Sequence, residues 1–309
     1  MHIVRCKPGK GAGVENKSPE MNSGQLTAVS MINKPPEQLP HVGDIGDMSA
    51  TGQKYVTISV DDGHPTDLRT VDLLMRYGLK ATFYIPAANS ERTVMRPNEI
   101  REIDRLFEVG SHTLNHLRLT SIPPERAWRE IWEGKQASED MLGHEVVSFC
   151  YPGGKFNRRV ERLVAKAGFL AARTCMFFLN DFPKDPFRWG VSAYANTYPA
   201  YVQLRHCFLE GNLAGSYNYL TRFKARTAWA AQFMCALENV SRDGGMAHLY
   251  FHSWEIEQNG EWDILEAVFK AIAEHSLTAV TNGYLYRRWY ERRGLMTGSF
   301  RSEGDCQLN

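Results

Sequence analysis

The run Tyr55-Val56-Thr57-Ile58-Ser59-Val60 reads as a strand that ends in Asp61-Asp62-Gly63, and about fifty residues on stands His112-Thr113-Leu114-Asn115-His116. Two adjacent carboxylates at a strand end and two histidines four apart are the parts of a metal site with a base beside it. Asp-Asp-Gly alone is usually a turn, because Gly supplies positive φ and Asp bonds its own backbone. A lone His-x-x-x-His is commonly two unrelated histidines. In combination they point to one ion. Successive strand side chains point to opposite sides, so one aspartate can bind the ion while its neighbour faces a substrate, provided Gly63 lets the chain bend. Histidines at i and i+4 share a face of a helical turn and can converge on an ion with a carboxylate as third ligand. Such a set leaves positions open for water, which is the catalytic pattern.

Two later segments complete the series: Phe149-Cys150-Tyr151-Pro152-Gly153-Gly154 and Leu249-Tyr250-Phe251-His252. In order and spacing the four motifs, from Lys54 to Tyr286, resemble the polysaccharide deacetylases of the NodB-homology type, carbohydrate esterase family four. The resemblance implies that Asp61 is the general base and that Asp62, His112 and His116 are metal ligands. It implies an ion that polarises an amide carbonyl and activates water, with the oxyanion also held by the Gly153 N–H. It makes His252 the acid that protonates the departing amine, a poor leaving group without a proton.

The family's third motif begins with an arginine that pairs with the base, and here that position holds Cys150. Arg173, inside the apolar run Phe169–Thr174, is expected to offer the missing guanidinium from an adjacent strand end, and Arg173→Ala to lower turnover while sparing the fold. An arginine buried there unpaired would be costly. The aspartate-tryptophan motif that supports the family's acid histidine has no clear counterpart; Asp181 and Asp185 are nearby candidates that read better as loop caps. Tyr151, Pro152 and Trp254 are assigned to substrate binding, with Glu255 also at the cleft.

These residues must be positioned by a scaffold, and the pattern is α/β. Strands are expected at Tyr55–Val60, Ala81–Pro86, Val146–Tyr151, Phe169–Thr174 and Ala247–His252, each short, apolar and bounded by Gly, Pro or Asp. Helices are expected at Thr66–Tyr77, Asn98–Val109, Pro124–Leu142, Arg158–Ala167 and from Trp262 to Glu274, opened by caps such as Asn157. Alternation implies a parallel sheet, and motifs at strand C-termini imply a barrel with its active face there. The resemblance narrows this to a distorted, incomplete (β/α) barrel. Between Tyr198 and Val240 two helices, Tyr201–Leu209 and Thr221–Leu237, are expected around a connector at 211–219 whose aromatics pack on the barrel or stack on sugar rings.

The 309 residues, 43% hydrophobic, suffice for one catalytic domain, expected at 53–290 between tails at 1–52 and 291–309. The first of these, rich in Gly, Pro, Ser, Asn and Lys, reads as a disordered tail. A net charge of +1 gives no electrostatic footprint for nucleic acid, and no stretch reaches the apolar length of a membrane span. Six unpaired-looking cysteines in mostly apolar segments read as buried thiols and suit a cytoplasmic location. The expected activity is removal of an N-acetyl group from an N-acetylated glycan, with Zn2+ as the first choice of ion and Co2+, Mn2+ or Ni2+ also suited to the ligands. Hydrolysis of another non-peptide C–N bond or an O-acetyl ester, and a silent glycan-binding protein, are the alternatives. Oligomeric state is not legible.

Overall fold

The computed structural model describes residues 52–295. Residues 1–51 of the N-terminal tail expected at 1–52, and 296–309 of the one expected at 291–309, lie outside these residues. Among the described residues eight strands and ten α-helices run in the order β1 (Lys54–Asp61), α1 (Asp67–Arg76), β2 (Thr82–Ile85), α2 (Pro97–Asp104), β3 (Glu108–Ser111), α3 (Pro124–Leu142), β4 (Ser148–Cys150), α4 (Arg158–Lys166) and β5 (Ala171–Arg173). Then come β6 (Ala193–Tyr194), α5 (Ala200–Leu209), α6 (Leu213–Thr221), α7 (Trp229–Asp243), β7 (Gly245–Phe251), α8 (Ser253–Asn259), α9 (Trp262–Glu274), β8 (Thr278–Ala279) and α10 (Asn282–Arg292). No helix among the described residues is long and apolar enough to cross a membrane.

All strand pairs are parallel, in the order β5-β4-β3-β2-β1-β7-β6, with β8 beside the start of β1. The sheet curls. Among the described residues its edges are joined through the stretch 186–195, which includes β6 and bonds first to β5 (Trp189 N–H to Ala172 O, 3.0 Å) and then to β7 (Ser192 N–H to His248 O, 2.9 Å). The result is the distorted, incomplete (β/α) barrel that the motif order implied.

The alternation of strand side chains divides the core into an outer and an inner part. Val56, Ile58 and Val60 of β1 point outward into a large apolar cluster with α1, α2, α7 and α9. The opposite set, Thr57, Ser59 and Asp61, points inward and is buried. The floor of the barrel is apolar, built from Tyr55, Trp189, Met246 and the α10 residues Leu285, Tyr286 and Trp289. Above it the interior turns polar, with Ser59 bonded to His248 at 2.9 Å and Glu108 accepting from Thr82 and Ser148. Such an interior requires that most of its groups find partners, and these do, whereas Thr57 Oγ1 has none among the described residues.

Three expectations about elements are corrected. The helix expected at Asn98–Val109 stops at Asp104, and Glu108–Ser111 is β3, the strand that carries the histidine motif. A Cβ on Gly110 would sit 2.6 Å from the Tyr84 ring, so this strand needs Gly where it crosses Tyr84. The connector expected at 211–219 is itself helical over Leu213–Thr221, capped by Asn212 accepting from Gly215 N–H at 2.8 Å. The helix expected at Thr221–Leu237 starts only at Trp229, because Lys224 and Ala225 take φ of 53° and 49° and interrupt it.

Candidate active site

The site lies at the C-terminal ends of β1, β3, β4, β5 and β7. Asp61 ends β1, and the next residue, Asp62, has φ 79°, followed by Gly63 at 63°. The chain therefore bends at Asp62 itself, one residue before the glycine expected to do it. Asp tolerates this left-handed conformation better than most residues. The bend sends Asp61 into the barrel and Asp62 to the rim.

The histidines converge, but not on a helix. β3 ends at Ser111, and 112–116 is a bent loop in which Thr113 and His116 take φ of 73° and 57°. Thr113 Oγ1 accepts from His116 N–H at 3.0 Å, and Glu130 of α3 accepts from both Asn115 N–H and Asn115 Nδ2. Gly134 of α3 lets the loop press close: a Cβ there would lie 2.6 Å from Leu114 N. Backbone strain of this kind collects at functional sites.

His112 Nε2 and His116 Nε2 lie 3.8 and 3.2 Å from Asp62 Oδ1. That oxygen is buried and has no hydrogen-bond partner among the described residues. Two outer faces of this group are occupied: His112 Nδ1–H donates to Cys150 O at 2.9 Å, and Trp254 Nε1–H donates to Asp62 Oδ2 at 3.0 Å. Burial, with His116 adding, pushes His112 down to about 4, so at neutral pH it presents an unprotonated nitrogen, the form that can bind a metal. An orphaned carboxylate oxygen between two imidazoles, with the outer nitrogen of His112 and the second oxygen of Asp62 both fixed, suits a divalent cation. A second group, Asp61, His112 and Cys150, is equally compact. It suits a cation less well, because Arg173 covers both Asp61 oxygens and burial raises the Cys150 thiol well above its usual range.

Arg173 is fully buried at the end of β5 and bonds both carboxylate oxygens of Asp61 through Nη2. Cys150 and Arg173 are register partners across β4 and β5, and Cys150 Sγ lies 3.6 Å from Asp61 Oδ2. The guanidinium thus comes from the strand next to the one that carries it in the family motif. Burial works to raise Asp61, yet Arg173, with His112 and His252 adding, holds it below the usual carboxylate range.

His252 caps α8 with Nε2 3.9 Å from Asp62 Oδ2. Its Nδ1 faces Glu255 Oε2 at 2.9 Å, and the Tyr194 hydroxyl donates to the same oxygen. Burial pulls His252 down, but the Glu255 bond and the charges of Asp62 and Asp61 outweigh it and raise its pKa. Glu255, expected only as a cleft residue, therefore supports the histidine. The signal was available as His-x-x-Glu on a first helical turn. Asp185 accepts from Phe187 N–H at 2.9 Å as a loop cap.

Of the substrate residues expected, Tyr151 and Pro152 are corrected. Tyr151 is fully buried, with its hydroxyl donating to Phe187 O at 3.1 Å and its ring stacked on Phe156, and Pro152 is buried with it. Both pack the core beneath the rim. Gly153, with φ 61°, is the exposed residue of that turn. Trp254 is at the site, but its indole N–H serves the Asp62 carboxylate. Sequence reasoning missed Arg92, whose guanidinium lies 3.3 Å from the centroid of the Trp254 ring. Arg92 belongs to the loop 87–95, which lines a cleft of about 600 Å3. This loop hangs on the motif loops themselves, through Ala87 N–H to Thr113 O (3.1 Å) and Met95 N–H to Gly63 O (2.8 Å).

Residues 48–172 match the polysaccharide deacetylase family. The chain is similar to a peptidoglycan-N-acetylglucosamine deacetylase of Bacillus cereus, 29% identical over 146 residues that make up 47% of this chain and 66% of that one. It is also similar to the peptidoglycan-N-acetylglucosamine deacetylase PgdA of Listeria monocytogenes, at 26% identity over 36% of this chain and 24% of that one. The match thus spans just under two thirds, and about a quarter, of these relatives. A Mycobacterium smegmatis structure named for a polysaccharide deacetylase shares the fold, with TM-score 0.55 and 16% identity over 83% of this chain and all of that one. The matched stretch, running from before β1 into β5, carries the first three motifs at the strand ends of one parallel, incomplete barrel, and it is similar to the polysaccharide deacetylase family, as the resemblance of the motifs to the NodB-homology type implied.

Proposed function

We propose that this chain is a metal-dependent hydrolase that removes an N-acetyl group from a sugar residue of an oligo- or polysaccharide. The observation that carries the reading is the unpartnered, buried Asp62 Oδ1 between His112 and His116, with Asp61 on one side and His252 on the other. Asp62, His112 and His116 would hold the ion, which when bound supplies Lewis-acid polarisation of the acetamide carbonyl and acidification of a neighbouring water. Zinc suits two imidazoles and a carboxylate; cobalt, manganese or nickel fit the same donors.

Asp61, kept ionised by Arg173, takes the proton of the water that attacks the carbonyl carbon. A C–O bond forms and the C–N bond breaks, giving acetate and a free amine. His252, its Nδ1 held by Glu255, presents Nε2 to the cleft and delivers the proton that the amine needs to leave. The Gly153 N–H is assigned to the developing oxyanion. Relatives named for peptidoglycan N-acetylglucosamine make that sugar the first substrate to try. The test is acetate release from N-acetylglucosamine oligosaccharides by metal-loaded and chelated protein, beside O-acetylated xylan and a cyclic amide. Release from the first substrate alone, lost on chelation, is expected. Faster turnover of either comparison substrate would reassign the bond cleaved, and silence on all would favour a glycan-binding protein.

A further inference from the structure

The helical hairpin α5–α6 carries six of the thirteen large hydrophobic side chains that are exposed among the described residues. Six large side chains, Tyr201, Phe208 and Leu209 on α5 and Leu213, Tyr217 and Leu220 on α6, are each 57% to 73% exposed. Their spacing forms two ridges. Tyr201, Arg205 and Phe208 repeat at i, i+4, i+7 along α5, and Leu213, Tyr217 and Leu220 do so along α6, with the exposed Lys224 three residues past its end. The opposite faces, with Gln203 and Cys207 on α5 and Gly215, Asn218 and Tyr219 on α6, are buried against the domain. Both ridges therefore face away from the domain. A patch of this kind on a folded chain marks an interaction surface.

We propose that this outer face docks on the surface of a bilayer containing anionic lipid. The charge around it identifies the partner. Between residues 200 and 228 the chain has four Lys and Arg residues against one acid, Glu210, which is paired with Lys155. Arg205, Lys224 and Arg226 are exposed, and among the described residues none has an acid partner, whereas Arg222 pairs with Asp243. Exposed aromatic and Leu side chains interleaved with unpaired basic residues are what an anionic interface holds: rings and Leu enter the headgroup boundary while Arg and Lys reach phosphate. A sugar platform fits less well, because half of the six are Leu, which has no flat face to stack on a pyranose. The hairpin also lies at the site's edge. Glu210, at the end of α5, pairs with Lys155, which follows the turn carrying Gly153, so docking brings the cleft beside the lipid headgroups.

The experiment is co-sedimentation of the full chain with vesicles of phosphatidylcholine, with and without phosphatidylglycerol, at low and high salt. The full chain should sediment with the anionic vesicles and lose most of that binding in high salt. Phe208→Ser combined with Tyr217→Ser should cut the partition coefficient by about tenfold or more. Arg205→Gln combined with Lys224→Gln should abolish the preference for phosphatidylglycerol. Because these side chains are exposed, melting temperature and acetate release from a soluble oligosaccharide should stay at wild-type values, which separates failure of docking from failure of the proposed chemistry. The proposal falls if the chain stays in the supernatant, if the serine variant binds as the wild type does, or if neutral vesicles bind equally well. It falls also if light scattering shows a dimer that the serine substitutions dissociate while no vesicle is bound.

Discussion

Replacing Arg173 with alanine tests how the base is held. The guanidinium is fully buried and bonds both oxygens of a carboxylate that is itself only 3% exposed. Alanine would leave Asp61 charged in the barrel interior without its cation, or force it to take a proton, and would leave a void beside Tyr84 and Tyr250, over which the guanidinium now lies. Breaking a buried pair by removing one partner costs about 3–5 kcal/mol, against a total stability of about 5–15 kcal/mol for a domain. With an unfolding slope of about 1–3 kcal/mol/M in urea, the midpoint should fall by at least about 1 M. Arg173→Ala is therefore a folding change as well as a catalytic one, in contrast to the fold-sparing substitution that the sequence suggested. The register partnership supplies a rescue. Cys150→Arg in the Arg173→Ala background puts a guanidinium back on the neighbouring strand, where the family motif has it, and should recover most of the lost stability and part of the turnover. Urea melts followed by tryptophan fluorescence, with acetate release at matched metal loading, measure both. A midpoint for Arg173→Ala within about 0.3 M of wild type, or undiminished turnover, would refute the reasoning.

Three further outcomes are expected. Trp254→Phe removes the N–H that fixes Asp62 Oδ2 and should weaken metal affinity by about 10–100-fold, read by competition with a chromogenic chelator; unchanged affinity would remove Trp254 from support of the ligand. Glu255→Gln removes the bond that, against burial, raises His252, so the alkaline limb of kcat/KM against pH should move to lower pH; a stationary limb would exclude Glu255 from this role. Asp67, fully buried and bonded by Ser253 Oγ, is raised well above its usual range, by burial first and by Asp62 in addition. The native state holds this proton more tightly than the unfolded chain does, so the contribution to stability is greatest below the unfolded value of about 3.9 and declines as pH rises above it. Asp67→Asn escapes that decline, and its urea midpoint should gain on wild type between pH 5 and pH 8; parallel curves would contradict the shift.

Much of the fold could be read because its signals are local. β1, with its apolar-polar alternation, and α3, opened by Pro123-Pro124 and closed by Gly143 in the left-handed region, were expected within a residue of where they lie. The histidine loop was not legible, since i, i+4 spacing suits a helical turn and a tight loop alike. What decides between them is Glu130, fifteen positions after Asn115, and Gly134 on the same helix, which anchor the loop from outside. β3 was absorbed into the preceding helix for a related reason: its four residues form a strand because β2 offers a register for them. The guanidinium partner of Asp61 could be suspected because an arginine within an apolar strand demands an anion, while Arg92 gave no signal, being one cation in a polar loop until Trp254 is placed beneath it.

The central claim is that Asp62, His112 and His116 hold one ion while Asp61 acts beside it without being needed for binding. Elemental analysis of wild type, His116→Ala and Asp61→Asn, each purified after the same metal loading and assayed for acetate release, tests it most directly. One ion per chain is expected in wild type and Asp61→Asn, little in His116→Ala, and a loss of turnover of about 10²–10⁴-fold in the metal-loaded Asp61→Asn protein. Wild-type metal content in His116→Ala, or an active, metal-loaded Asp61→Asn enzyme, would contradict it.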